Sequence, residues 1–335
     1  MSTRPLVVVT DHLAEAGVER AVLDPCAEVR LLQTNDEQEV ARLGADADAL
    51  LVFHNILLTD RTIARLSRCK GIVRCGVGYD NVDLRSAGKH GIVVCNVPDY
   101  GTEEVADHAL LMLLAIARRL MDCDRSIRAG GWDITKAFGT PRLRGRTLGL
   151  IGCGRIGAAM ALRAKALGLR VVIYDPYKPD GVEKALGVER CYKLEELLRQ
   201  SDFVSVHSPL TTETKHILNA ATLKLLPRGA YVINTARGPC VDIPALLDAL
   251  DEGQIAYAAL DVMEREPLDD DRLRQHPRVL LTPHSAFYSV EGFAEMRTKG
   301  AEEARRLIQG EPVRNPVNLA FLTNARAVLP KLPGV

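Results

Sequence analysis

Gly152, Gly154 and Gly157 form a G-x-G-x-x-G sequence between an apolar run, Thr147–Ile151, and an Ala-rich stretch, Arg155–Leu167. In a strand–turn–helix setting the first glycine makes a tight turn and the second lets backbone approach a pyrophosphate. The third lets the helix pack closely, and the helix N-terminus turns its N–H groups toward the anion. Arg155 and Ile156, inside GCGRIG, belong to the same cofactor-binding loop. Asp175 closes the next apolar run, Arg170–Tyr174, where its carboxylate would accept from ribose hydroxyls and repel a 2′-phosphate. These residue types in this order point to a dinucleotide, NAD rather than NADP.

Hydride transfer to or from such a cofactor needs an acid–base group for the hydroxyl proton and a cation to orient the substrate. Arg237 in NTARG follows the apolar run Ala230–Asn234, and its guanidinium offers fixed donors to a carboxylate and a carbonyl. Glu266 in LDVMEREP follows Ile255–Leu260, and His284 in LTPH follows Val279–Leu281. A histidine with a carboxylate on one ring nitrogen is an acid–base pair. Taken singly, a surface ion pair, an exposed Glu or a hydrogen-bonded loop His would explain each residue equally well.

Elements that could position these groups alternate along the chain. Apolar runs of about five residues separate amphipathic stretches of helix length, the pattern of βαβ units in parallel sheets. The first series comprises Leu6–Val9, Glu28–Leu32, Ala49–Phe53, Ile72–Cys75 and Ile92–Asn96, with one intervening helix at Asp60–Ser67 capped by Thr59 or Asp60. The second comprises Thr147–Ile151, Arg170–Tyr174, Asp202–His207, Ala230–Asn234, Ile255–Leu260 and Val279–Leu281. Glu103–Leu120 reads as a long bridging helix, followed by a polar, Gly-containing stretch, 125–146. The last helix pattern, Gly292–Gln309, comes after the second series and is expected to return to the first domain. The expected fold is α/β with two doubly wound parallel-sheet domains. A Rossmann NAD-binding domain, 102–292, is inserted into a flavodoxin-like substrate domain made of 1–101 and 293–335.

Composition narrows the function classes. The 335 residues suit about two domains, and 43 Lys+Arg balance 43 Asp+Glu, so no global field gathers nucleic acid or anionic lipid. Nucleic-acid and membrane partners are not expected. The eight cysteines form no C-x-x-C pair and several sit in apolar runs, as in a reducing, cytoplasmic setting. Met1–Thr10 has no leader-like pattern, and the apolar stretch 109–117 is too short to span a bilayer. No metal-ligand spacing, G-x-S-x-G or Walker-type loop occurs, so no metal is expected.

GCGRIG, YDP, HSPLTTET, NTARG, LDVMEREP and LTPH, in this order, resemble the NAD-dependent D-2-hydroxyacid dehydrogenase family over nearly the whole chain. RCGVGYDNVD, VCNVPDYGTEEVADHA, YDPYKPDGVEKALG and PHSAFYS resemble the branch that contains the C-terminal-binding proteins, NAD-responsive corepressors. The resemblance implies interconversion of a 2-oxo acid and a D-2-hydroxy acid, with Arg237, Glu266 and His284 as the catalytic set. It implies that the Val77 and Gly78 amides hold the substrate carboxylate from the other domain, that Arg74 faces the substrate, and that Phe287 lines the pocket where the corepressors carry Trp. Thr102 would meet the cofactor near nicotinamide or phosphates, His207 and Pro209 the adenosine side, Thr235 the cofactor-facing loop, and Asp261 the carboxamide, with Thr214 and Ala236 also cofactor-binding. Thr102 could equally cap a helix, His207 end a strand, and Arg74 form a buried ion pair. A homodimer through the bridge helix and 125–146 is also implied. The competing reading is a corepressor-like NAD(H)-sensing scaffold that binds short peptide motifs of transcriptional regulators. The absence of a long regulatory tail after the last helix and the retained catalytic residues are expected to favour the enzyme.

Overall fold

Parallel strands buried on both faces read as unbroken apolar runs, and among the described residues twelve strands form two all-parallel sheets, most of them at such runs. The computed structural model describes residues 4–11 and 13–331. Positions 1–3, 12 and 332–335 of the expected first domain lie outside the described residues. Contacts divide the chain into two units, Met1–Gly101 with Ser289–Val335, and Thr102–Tyr288. The second boundary falls at Ser289 rather than 293, because the Ser289 side chain accepts from the Gly292 N–H and caps the last helix.

The first unit holds β1 (Leu6–Val9), β2 (Glu28–Leu31), β3 (Ala49–Val52), β4 (Gly71–Arg74) and β5 (Val93–Asn96) in the order β2-β1-β3-β4-β5, the flavodoxin-like arrangement. The final helix, Val290–Gln309, packs on β3, β4 and the helix Gly17–Leu23. Arg297 from it pairs with the buried Glu19 at 2.7 Å. The last helix therefore packs within the first unit.

The second unit holds β6 (Thr147–Ile151), β7 (Arg170–Tyr174), β8 (Glu189–Arg190), β9 (Phe203–Val206), β10 (Ala230–Asn234), β11 (Ile255–Leu260) and β12 (Val279–Leu281). Their order, β12-β11-β10-β9-β6-β7-β8, is the Rossmann arrangement with one strand added. One core, around Leu197, Val204, Val232 and Leu246, covers one face. The other, around Leu113, Leu150, Met160 and Ile233, seats the helices Thr102–Ala117 and Arg155–Ala166.

Three elements differ from the sequence pattern. The long helix stops at Ala117, because Arg119 is left-handed (φ +50°) with its guanidinium over the Tyr257 ring, and a second helix covers Leu120–Arg128. The helix at Asp60 is one turn, Asp60–Ile63, and the chain reaches Gly71 through tight turns. The two-residue β8 has no periodic signal to read. Among the described residues, no helix is long and apolar enough to cross a membrane.

Candidate active site

The order of the second sheet reverses between β6 and β9, where an open parallel sheet forms a ligand crevice at its carboxyl edge. The glycine loop leaves β6 at this point. Gly152 adopts φ +95°, and a Cβ on it would lie 2.8 Å from the His207 carbonyl carbon, so the loops after β6 and β9 approach too closely for any side chain. A Cβ on Gly157 would lie 2.3 Å from the Gly152 oxygen, whereas one on Gly154 would meet nothing within 4 Å. The turn is therefore closed on the protein side and open where backbone would face a pyrophosphate. Arg155, at the start of the helix, is exposed, and Ile156 is half-buried.

Asp175 ties the end of β7 to this loop, accepting from the Cys153 N–H at 2.8 Å and the Tyr177 N–H at 3.0 Å. Arg190 donates to the carbonyls of Asp175 (2.9 Å), Lys178 (2.8 Å) and Pro179 (3.0 Å), which fixes the segment behind the acid. Beside it lies a cavity of about 420 Å³ lined by Asp175, Pro176, Lys178, Arg190 and Tyr192.

His207 pairs through Nε2 with Ser205 Oγ at 2.9 Å, and burial pushes its pKa down to about 4, so the ring is neutral. Its Nδ1 and the Thr235 Oγ1 are shut off from solvent and have no hydrogen-bond partner. Buried polar atoms left unpaired are costly, and their position here suits a polar ligand. Thr214 Oγ1 donates to the Pro209 carbonyl at 2.6 Å, and the Ala236 N–H donates to Asn234 Oδ1 at 3.0 Å, so both loops are braced from within. Thr102 is the first residue of its helix. Glycine cradle, strand-end acid and unpartnered atoms together fit a bound dinucleotide.

Arg237, Glu266 and His284 follow three neighbouring strands, β10, β11 and β12, whose ends are in register at Asn234, Leu260 and Leu281. His284 Nδ1 lies 2.7 Å from Glu266 Oε2, and Glu266 Oε1 accepts from the Met263 N–H at 2.9 Å. A carboxylate accepts, so Nδ1 carries the proton, and Nε2 is the ring atom whose protonation changes in acid–base work. The Arg237 guanidinium donates to the Ala236 carbonyl at 2.7 Å. Its loop lies against the segment that leads to Glu266, since a Cβ on Gly238 would fall 1.9 Å from the Met263 carbonyl. The Phe287 ring stands edge-on to His284, centroids 6.4 Å apart.

Asp261 follows the end of β11. It is 1% exposed, accepts from the Ser285 and Ala286 N–H groups at 2.9 and 3.0 Å, and is bonded by the Thr282 hydroxyl at 2.5 Å. In the first unit, Arg74 is buried at the end of β4, donating to the Cys75 carbonyl at 3.0 Å and reaching Asn81 Oδ1 at 3.4 Å. Asn96 donates to the Val77 carbonyl at 2.7 Å and so fixes the loop that contains Gly78.

Sequence reasoning missed several supports. Asn234, fully buried, donates to the Arg237 carbonyl at 2.8 Å, and its own carbonyl accepts from the Asp261 N–H at 2.9 Å. Asn81 donates to the Phe53 and Ile56 carbonyls at 2.8 and 2.7 Å. His108 reaches Thr282 at 3.1 Å. A strand-end Asn beside TARG was the one signal that could have marked such a support; His108 and Thr282 carry none.

Comparison with known proteins supplies the family. Residues 110–286 match the D-isomer specific 2-hydroxyacid dehydrogenase NAD binding domain. The chain is 37% identical over 313 residues to D-3-phosphoglycerate dehydrogenase of Methanocaldococcus jannaschii, covering 93% of this chain and 59% of that one. It is 35% identical over 317 residues to the Bacillus subtilis enzyme of the same name, covering 95% and 59%. The chain thus spans about three fifths of the length of these curated relatives. Among solved structures, the NADPH-dependent glyoxylate/hydroxypyruvate reductase of Sinorhizobium meliloti, in complex with NADP and malonate, superposes with a TM-score of 0.85 at 32% identity, covering 97% of this chain and 100% of that one. The chain belongs to the D-isomer specific 2-hydroxyacid dehydrogenase family and carries its nicotinamide-dinucleotide-binding domain.

Proposed function

We propose that the protein is an NAD-dependent dehydrogenase that interconverts a small 2-oxo acid and the corresponding D-2-hydroxy acid. The observation that carries this reading is the 2.7 Å contact between His284 Nδ1 and Glu266 at the sheet edge that also holds the glycine cradle. The nicotinamide, when bound, supplies or accepts the hydride at substrate C2. Gly152, Gly154, Arg155, Ile156 and Gly157 would hold the pyrophosphate and Asp175 the adenosine ribose, with Thr102, His207, Pro209, Thr214, Thr235 and Ala236 lining the rest.

In reduction, protonated His284 gives its Nε2 proton to the developing alkoxide, and Glu266 steadies the imidazolium and holds its ring tautomer. Arg237 orients and polarises the carbonyl, and the Val77 and Gly78 amides receive the substrate carboxylate. Arg74 and Phe287 bound the substrate side chain. The dehydrogenase, reductase and malonate named in the relatives support small carboxylic acids as the substrate class.

Oxidation of NADH, followed at 340 nm with a panel of aliphatic, aromatic, thioether and acidic 2-oxo acids, tests the reading. Turnover of at least one, yielding the D-hydroxy acid, is expected; a rate no higher than the blank for all of them refutes it. RCGVGYDNVD and PHSAFYS support a place in the corepressor-like branch, for which binding of short labelled peptides is the test. A second copy of the chain is inferred to cover Leu120, Ile127, Trp132, Ile134 and Phe138, large apolar side chains that are all exposed within one stretch of the chain. Sedimentation should give a dimer, and Trp132→Glu should shift it toward monomer. The single, unpaired thiols suit a reducing cytoplasm.

A further inference from the structure

Glu266 is not the only residue that holds His284. The histidine is left-handed, φ +52°, a conformation that a side chain adopts only when its surroundings impose it. Among the groups that meet this backbone are the Thr282 carbonyl, which accepts from the His284 N–H at 3.1 Å, and Asp261. Its carbonyl accepts from the His284 N–H at 2.7 Å, and its carboxylate accepts from the next two amides, Ser285 and Ala286. Three consecutive N–H groups converge on a side chain and backbone that are almost wholly buried.

The carboxylate is itself held. An ionised carboxylate only accepts, so the short contact with Thr282 spends the one hydroxyl proton of that threonine on Asp261 Oδ1. The Thr282 oxygen, 3.1 Å from His108 Nε2, must then accept, which makes His108 the Nε2–H tautomer. The same Nε2 lies 3.8 Å from Asp261 Oδ1. A chain of directed bonds therefore runs from the helix Thr102–Ala117, through the end of β12, to the acid that shapes the His284 loop. All of it lies within the second unit.

Resting on the dehydrogenase reading above, we propose that His108 is a positioning residue for the proton donor, acting through Thr282 and Asp261. His108 touches neither substrate nor cofactor in this role. It fixes the rotamer of Thr282, which fixes the carboxylate, which holds His284 in its left-handed conformation with Nδ1 toward Glu266. Loss of the relay lets the imidazole wander from the line of proton delivery while the glycine cradle stays intact.

Two pairs of variants separate this role from simple packing. Thr282→Val keeps the shape and removes the hydroxyl, whereas Thr282→Ser keeps the hydroxyl. His108→Leu removes the donor, whereas His108→Gln places an amide N–H near the original Nε2. In NADH-driven reduction of the best 2-oxo acid, Thr282→Val and His108→Leu should lower kcat about tenfold or more, as small misplacements of a reacting group do. The Kd for NADH, read by fluorescence without substrate, should remain within about twofold, a difference well below 1 kcal/mol. Thr282→Ser and His108→Gln should restore most of kcat. Imidazole ¹⁵N NMR of the wild-type protein should show His108 as the Nε2–H tautomer. Unchanged kcat in both deletion variants, loss of NADH affinity with kcat retained, failure of the conservative variants to restore the rate, or the Nδ1–H tautomer of His108 would each overturn the proposal. A wild-type protein inactive on every 2-oxo acid would sink the dehydrogenase reading instead, and the NMR tautomer would still report on the relay.

Discussion

His207 offers a test of the cofactor crevice that needs neither substrate nor turnover. Burial holds this histidine at a pKa of about 4, against its ordinary 6.5. The folded protein thus leaves the ring neutral over a range in which the unfolded chain protonates it. The stability linked to this group is complete above about pH 6.5, is lost as the pH falls, and reaches its lower limit near pH 4. Between pH 7 and 5 the two-state linkage relation gives a loss of about 2 kcal/mol, an upper bound because the residue retains some solvent contact. His207→Gln keeps a donor–acceptor tip near Ser205 Oγ, 2.9 Å from the present Nε2, and cannot titrate in this range. Urea unfolding of both proteins without cofactor, at pH 7 and pH 5, isolates the effect, since every other titrating group is shared. The wild type should lose about 2 kcal/mol more than the variant, roughly 0.7 M in midpoint for a slope of about 3 kcal/mol/M. Equal losses would show that His207 takes up its proton in the folded state and would remove the reading of a neutral histidine with Nδ1 kept for a ligand.

Asp175 should impose a preference for NADH over NADPH of at least about tenfold in kcat/KM, equivalent to about 1.4 kcal/mol. Asp175→Ala should shrink it, because Lys178 and Arg190 line the adjoining cavity and would then face a 2′-phosphate without an opposing carboxylate; equal efficiency with both cofactors in the wild type contradicts the assignment. Arg237→Lys keeps the charge but loses the planar donor pair, so kcat/KM should fall about tenfold or more, and a near-normal value would leave Arg237 a structural residue. Glu266→Gln keeps an acceptor for His284 Nδ1 and removes the charge that stabilises the imidazolium, so reduction should slow by about tenfold to a hundredfold, whereas an unaltered rate would mean that another group orients the ring.

The fold was largely legible because both sheets are parallel and doubly covered. LVVV, ALLV, VVCN, TLGLI and AYVIN are strands with no polar face, and each is followed by a helix pattern or a turn. Strand order is set by crossovers and not by local pattern, so it came from the Rossmann-like glycine motif and the family likeness. Elements whose limits depend on tertiary contact were not legible. Arg119 ends a helix that its neighbours would continue, through a left-handed backbone and a guanidinium over Tyr257. Two residues of β8 extend the sheet by pairing Val172 and Ile173 with Glu189 and Arg190, a register that no periodicity announces.

In the candidate site, the legible residues are those whose chemistry is unusual for their position, and the illegible ones are those whose chemistry is ordinary. Gly152 must be glycine because His207 stands where a Cβ would go, so the motif records a steric fact. Glu266 and His284 were readable as a pair because a strand-end acid and a strand-end histidine have few reasons to coincide. Thr282, by contrast, looks like any threonine at a strand terminus, His108 like any polar residue on a helix, and Asn234 is marked only by its place beside TARG. Their importance lies in where they point: Asn234 into the backbone of the Arg237 loop, Thr282 and His108 toward the carboxylate that bends the His284 loop. A left-handed non-glycine residue needs such partners, since its backbone conformation persists only where the surroundings over-determine it. The presence of His284 at φ +52° therefore implies supporting bonds before they are sought, and in this chain they lead back to the first turns of the helix that opens the domain.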